Sequence, residues 1–345
     1  MTWTAPEHWL RIETIDAHTE GEPLRVIVAG FPELEGDTVL ARRRVARTDH
    51  DELRRALMWE PRGHADMYGC LVMPPVRPGS DFSVLFMHNE GYSTMCGHGI
   101  IGVAKIAVEA GWIDGSGRER PVTIDTPAGL VRATAIVDGE REREVREVRF
   151  VNVPSFAPAL GQTVEVEGLG SVSYDLAFGG AFYAYVDADV LGLSLTPGGA
   201  AGLIDAGRRI TGAVSSSTAG DISHPDDPDL GFLYGTVFTG AAADAAHHSR
   251  HVCVFADGEL DRSPTGTAVS GRLAILCARG EHSGDSEIII ESIIGGRFSG
   301  RVVGTTSVGG HAAVVPEVGG RAWVTGRHEF LVDPEDPWRD GFLVR

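Results

Sequence analysis

Two short segments lying about half the chain apart begin alike, and their likeness limits what the chain can fold into. Cys96-Gly97 is followed, after four intervening residues, by Gly102, and Thr265-Gly266, after four, by Gly271. Each then runs into small and apolar residues, Val103-Ala104-Lys105-Ile106-Ala107 in the first and Arg272-Leu273-Ala274-Ile275 in the second. Both read as helices, and glycine at these points removes the Cβ that would keep a neighbour away. Two accounts fit. Either two unrelated core helices happen to contain glycine, or the domain is duplicated and its halves pack these helices side by side, facing each other across a cleft. In the second account Val151-Asn152-Val153-Pro154 falls where the chain must cross between halves.

The rest of the pattern is strand-rich. β-like runs occur at Leu24 to Val28, Phe82 to Met87, Val122 to Thr126, Ala181 to Val186 and Glu287 to Ile290, separated by turn signals such as Asp138-Gly139 and Pro127-Ala128-Gly129. Helical spacing falls in four places, about 48–58, 97–110, 200–213 and 266–280. The expected class is α+β. A chain of 345 residues with 43% hydrophobic content can bury more than one core. The expected division is a first half over 1–150 and a second over 151–318, with about 319–345 free to return to the first.

Charge excludes some partners. A formal net charge of −18 speaks against a nucleic acid or an anionic membrane, both of which require clustered Lys and Arg. The run from Glu140 to Arg149 alternates in sign and reads as a solvated hairpin or helix face. No basic leader precedes an apolar stretch and no run of eighteen apolar residues occurs, so the expected compartment is the cytoplasm. Cys70, Cys96, Cys253 and Cys277 have no CxxC spacing, which suits neither a disulfide framework nor a metal site.

Cys96 directly precedes Gly97-His98-Gly99 at the start of a helix. There the free backbone N–H groups and the positive end of the helix dipole are expected to favour a thiolate, and the same donors can hold a carboxylate. The thiol is thus a candidate base, the alternative being a structural cysteine. Gly266-Thr267 opens the second helix with anion-binding N–H groups and a hydroxyl donor. Asp261 is either a turn residue or the partner of a substrate ammonium group. His18, His64 and His224 read as structural histidines, and His247, His248 and His251 carry no clear role.

These residues belong to a longer series. Asp16-Ala17-His18-Thr19-Glu20-Gly21-Glu22-Pro23, Glu60-Pro61-Arg62-Gly63-His64, Met95-Cys96-Gly97-His98, Val151-Asn152-Val153-Pro154-Ser155-Phe156 and Asp261-Arg262-Ser263-Pro264-Thr265-Gly266-Thr267 resemble, in order, the signatures of the proline racemase family, and Gly320-Arg321-Ala322-Trp323 extends the likeness. The resemblance implies a diaminopimelate-epimerase-like fold, two pseudo-symmetric halves each with a β-barrel-like sheet around a central helix. It implies an active site in the cleft between them and no metal, pyridoxal phosphate or nucleotide. By the same resemblance Gly97, His98, Gly266 and Thr267 would bind the substrate carboxylate and nearby atoms, Asp261 the ring nitrogen, and Tyr68 and Phe255 would line the ring pocket. A homodimer acting on a small imino acid is implied as well.

The chain departs from the two-thiol pattern of the family's racemases and epimerases at Thr265. An alcohol is a far weaker acid than a thiol, whose pKa is about 8.5, so Thr265 cannot serve as a general base at neutral pH without strong activation. Inversion at Cα should be lost, while removal of the Cα proton by Cys96 remains possible. Within the family a thiol and threonine pair resembles enzymes that dehydrate trans-3-hydroxy-L-proline to Δ1-pyrroline-2-carboxylate. The alternatives are a 4-hydroxyproline 2-epimerase or proline racemase with an activated Thr265, and a non-catalytic imino-acid-binding protein.

Overall fold

The computed structural model describes residues 3–139, 143–217, 222–226, 228–282 and 286–344. Its strands repeat one order of pairing twice. In the first half, β1 (Leu10–Thr19) pairs antiparallel with β2 (Glu22–Ala29), β2 parallel with β3 (Tyr68–Met73), and β3 antiparallel with β4 (Phe82–His88). β4 then pairs parallel with β5 (Glu119–Thr126), and β5, β6 (Gly129–Val137) and β7 (Val145–Val151) form an antiparallel meander. The second half runs the same way. β9 (Gly170–Phe178), antiparallel to β8 (Ser155–Val166), pairs antiparallel with β10 (Phe182–Asp187). β10 is parallel to β11 (Leu233–Gly240), which is antiparallel to β12 (Ser249–Phe255). Next β12 is parallel to β14 (Ile288–Glu291), with the two-residue β13 (Glu259–Leu260) between them in sequence, and β14, β15 (Arg297–Val308) and β16 (His311–Gly320) close the second meander.

Helices occupy equivalent crossovers. α1 (Val39–Asp49) and α2 (Asp51–Met58) lie between β2 and β3, and α4 (Ala200–Ser216) lies between β10 and β11. α3 (Gly97–Glu109) follows β4, and α5 (Gly266–Ala278) follows β13. Parallel neighbours need such crossovers, because a hairpin can join only antiparallel strands. α3 and α5 are buried along nearly their whole length, as a helix enclosed by a curved sheet must be. The expected diaminopimelate-epimerase-like architecture is therefore the one observed. No helix among the described residues is long and apolar enough to cross a membrane.

The sheets are continuous across the middle. β16 pairs with both β7 and β8, and β17 (Ala322–Val332) pairs antiparallel with β1 over its full length. Asn152, between β7 and β8, is buried and donates from Nδ2 to Gly179 O and Ser270 Oγ, each at 2.8 Å. The residue thus ties the crossover to α5.

Two expectations need adjusting. The helix expected over about 48–58 is α2, which starts at Asp51, and a further helix, α1 over Val39–Asp49, precedes it unexpected. Its Arg-rich face hid it, since only Val39 and Ala46 are buried, although Thr38 caps it by accepting from Ala41 N at 3.0 Å. Of the charged run, 140–142 lies outside the described residues, and from Val145 onward it is strand β7 with Val145, Val148 and Phe150 turned inward.

Candidate active site

The first turns of α3 and α5 meet at the centre of the molecule. A Cβ on Gly97 would lie 2.4 Å from Gly266 Cα, and one on Gly266 would lie 2.7 Å from Gly97 Cα. Real Cβ atoms never approach so closely, so both positions require glycine for contact. The later glycines do different work. Gly102 abuts Leu24 of β2 and Gly271 abuts Tyr185 of β10, so each helix is drawn against strands of its own half. The helices touch through their starts, which aims two sets of unpaired N–H groups at one point.

Each first turn is anchored through a backbone carbonyl. Thr19 Oγ1 donates to His98 O at 2.9 Å, and Tyr185 Oη donates to Ala268 O at 2.8 Å. At the far end of α3, Lys105 Nζ reaches Val145 O at 2.8 Å and Glu109 at 2.6 Å, fixing the helix along its axis.

All nine residues expected from the sequence line one cavity: Cys96, Gly97, His98, Thr265, Gly266, Thr267, Asp261, Tyr68 and Phe255. Met95, Tyr183 and Tyr234 line it too. Met95 stands in the segment Met95-Cys96-Gly97-His98, whereas Tyr183 and Tyr234 carry no signal of their own, because an aromatic in a strand reads as core. Tyr183 and Thr267 hydroxyls are 2.8 Å apart, and Ser93 links the hydroxyls of Tyr68 and Tyr234. The cavity is small and its lining residues are buried.

Cys96 caps α3. Its Sγ accepts from Gly99 N at 3.2 Å and lies 3.1 Å from His98 Nδ1. The expectation of a lowered thiol pKa is not met. Burial pushes the Cys96 thiol well above its usual range, and the Gly99 N–H and Tyr68 hydroxyl offset that only in part. The helix start acts as foreseen, but desolvation in a closed cavity outweighs it. Burial likewise lowers His98 to about 4, so this imidazole is neutral near pH 7.

Thr265 stands opposite, before α5, with φ +62° and ψ 100°. Positive φ is costly for a β-branched residue, and such strain marks a position fixed by its surroundings. Its hydroxyl does not cap the helix. Instead Oγ1 donates to Asp261 Oδ2 at 2.6 Å, while Asp261 Oδ1 accepts from Ser263 N at 2.7 Å. Asp261 is therefore neither a lone turn residue nor idle, because it holds the threonine and faces the cavity.

The remaining histidines serve structural ends. His18 accepts from Gly21 N at 3.2 Å and stacks on Trp323, and His224 packs against Phe156 and Phe178. His64 Nδ1 lies 2.7 Å from Ala65 O.

Known proteins resemble this chain in sequence and fold. Residues 14–343 match the family model described as proline racemase. A trans-3-hydroxy-L-proline dehydratase from Colwellia psychrerythraea (strain 34H) is 47% identical, over 98% of this chain and 94% of its own. A 3-hydroxyproline 2-epimerase from Burkholderia multivorans is 44% identical, over 97% and 98% respectively. Among solved structures, a hydroxyproline epimerase from Agrobacterium vitis with bound trans-4-hydroxy-L-proline superposes with a TM-score of 0.90 at 32% identity, covering 100% of this chain and 97% of that one. With a match across nearly its whole length and a doubled fold that brings the expected residues into one cavity, this chain belongs to the proline racemase family.

Proposed function

We propose that this protein dehydrates trans-3-hydroxy-L-proline to Δ1-pyrroline-2-carboxylate without a cofactor. The observation that carries the reading is the unequal pair at the helix starts, a thiol at Cys96 and a hydroxyl at Thr265 already committed to Asp261. The four N–H groups of Gly97, His98, Gly266 and Thr267 take the substrate carboxylate, and Asp261 takes its ring nitrogen. Tyr68 and Phe255 enclose the ring.

Chemistry then follows from stereochemistry. In trans-3-hydroxy-L-proline the hydroxyl is opposite the carboxylate and so shares a ring face with the Cα hydrogen. Cys96, once it has given up its own proton against the desolvation that raises its pKa, takes the Cα proton as thiolate; the Cα–H bond breaks, the S–H bond forms, and the helix starts stabilise the carbanion-like state. The C3–O bond breaks as C2 and C3 form a double bond, and the departing hydroxyl takes the proton from the Cys96 thiol and leaves as water. His98, held neutral by burial, is the weaker acid of the two groups on that face. The enamine tautomerises to the cyclic imine. Thr265 offers no proton to the opposite face, so the intermediate eliminates and does not invert.

The similarity to a 3-hydroxyproline 2-epimerase supports a second reading, inversion at Cα. One experiment separates them. Incubation with trans-3-hydroxy-L-proline, trans-4-hydroxy-L-proline and L-proline in deuterated water, followed by NMR, should show the imine from the first substrate alone. Cα-deuterated epimer in place of imine would establish the second reading, and binding without either would establish a non-catalytic protein.

The reading includes two halves over 1–150 and 151–318, with 319–345 returning to the first, and the pairing of β17 with β1 supports that return. It also includes a cytoplasmic homodimer, which sedimentation and cell fractionation test.

A further inference from the structure

Glu22 is an acid without an evident counterpart for both of its oxygens. It opens β2 directly after the β1–β2 turn and is fully buried. Its Oε2 accepts from Arg262 N at 2.7 Å and lies 3.0 Å from Arg262 Nε. Its Oε1 is buried with no hydrogen-bond partner. The carboxylate that neighbours Glu22 is Asp261, whose own oxygens hold Ser263 N and the Thr265 hydroxyl. Two ionised carboxylates cannot hydrogen-bond to each other. One proton between them turns the contact into a bond and removes a buried charge.

We infer that Glu22 is a positioning residue of this site: as a neutral carboxyl it directs its proton to Asp261, so that the two acids share one negative charge and Asp261 is fixed as the acceptor for Thr265. The further statement that Asp261 then meets a substrate ring nitrogen rests on the proposed function. The surroundings agree with the count of charges. Arg262 is the cation beside Glu22, and it also donates to Leu260 O and Asp66 O. Cys96 and Cys253 feel both acids, and burial together with the Asp261 charge pushes Glu22 well above the usual carboxylate range. His98, on the same side, is neutral near pH 7 and adds no compensating charge. A second ionised carboxylate would raise the Cys96 thiol further, so the shared proton also keeps the base within reach.

The test compares the full-length protein with Glu22→Gln and Glu22→Ala. Gln keeps the shape, an acceptor for Arg262 and a donor for Asp261, so kcat/KM should stay within a few-fold, whereas Ala should cost on the order of tenfold or more. Stability gives an independent readout. An unfolded Glu22 releases its proton near 4.5 and the folded one retains it, so wild type should lose thermal stability relative to Glu22→Gln as pH rises from about 4.5 to 8. An ionised Glu22 paired with Arg262 predicts no such loss: the difference between wild type and Glu22→Gln should stay flat from about pH 5.5 to 8 and shift only at lower pH, in favour of wild type as pH rises, and that result overturns the inference. Isotope-edited infrared spectra of wild type labelled at Glu should show a protonated carboxyl band at pH 7, and its absence overturns the inference even if the variants do not fold. Failure of wild type to dehydrate any hydroxyproline would sink the functional reading while leaving the infrared and stability results to decide on Glu22.

Discussion

Gly97 and Gly266 meet backbone to backbone, with 2.4 Å left where a Cβ on Gly97 would reach Gly266 Cα. This contact sets the distance between the thiol at the start of α3 and the hydroxyl at the start of α5. The neighbouring atoms are main chain and cannot swing aside. Gly97→Ala should therefore cost about 1–3 kcal/mol by overpacking and reduce turnover more than its stability loss explains. Gly212→Ala, in α4 where nothing lies within 4 Å, should be neutral or stabilise by up to about 1 kcal/mol. Thermal denaturation of the two variants checks the contrast.

Cys96→Ser should lower kcat by about 10²-fold to 10⁴-fold or more, the usual worth of a positioned base. Serine fits the space and can accept from Gly99 N, so the fold should persist. Circular dichroism beside the turnover assay separates the two effects, and substantial residual dehydration would contradict the assignment of Cys96.

Thr265→Cys should restore a second thiol opposite Cys96. The residue keeps its positive φ and its place beside Asp261, while losing a β-methyl that strains it. At least traces of Cα inversion are expected, read as deuterium in recovered proline-like substrate with loss of optical rotation. No wash-in at all would show that further residues separate elimination from inversion.

His98 provides a pH test. Its folded pKa of about 4 lies below the ordinary 6.5, so the unfolded chain binds the extra proton between these values. Stability should then fall as pH drops from 6.5 toward 4, by on the order of 3 kcal/mol from this group. Urea denaturation from pH 4 to 7 should show a shallower dependence in His98→Gln than in wild type. Equal slopes would mean that the imidazole is charged or solvated in the folded protein.

Much of the site was legible because its chemistry is carried by local patterns. A thiol before Gly-His-Gly and a threonine before Gly-Thr mark helix starts by residue type, and Asp261 lies four residues before Thr265, close enough for a turn to join them. Tyr183, Tyr234 and Glu22 were not legible as site residues. Tyr234 comes from a strand that pairs with β10 and β12, and only that pairing turns it to the cavity. Glu22 stood inside a recognised motif, but its meaning depends on Asp261, brought beside it from the other half of the chain.

The sequence by itself determined the class of fold, the positions of the two central helices and the residue types at their starts, since periodicity, glycine spacing and capping are local. Tertiary structure decided the electrostatics. The same helix start that favours a thiolate in water sits in a buried cavity, and there desolvation raises the Cys96 thiol instead. Thr265 could be read as a missing thiol from the chain alone, but its commitment to Asp261 arises only when the loop closes on itself. Local chemistry chooses the groups, and burial, which depends on every element packed around them, sets which protons they hold.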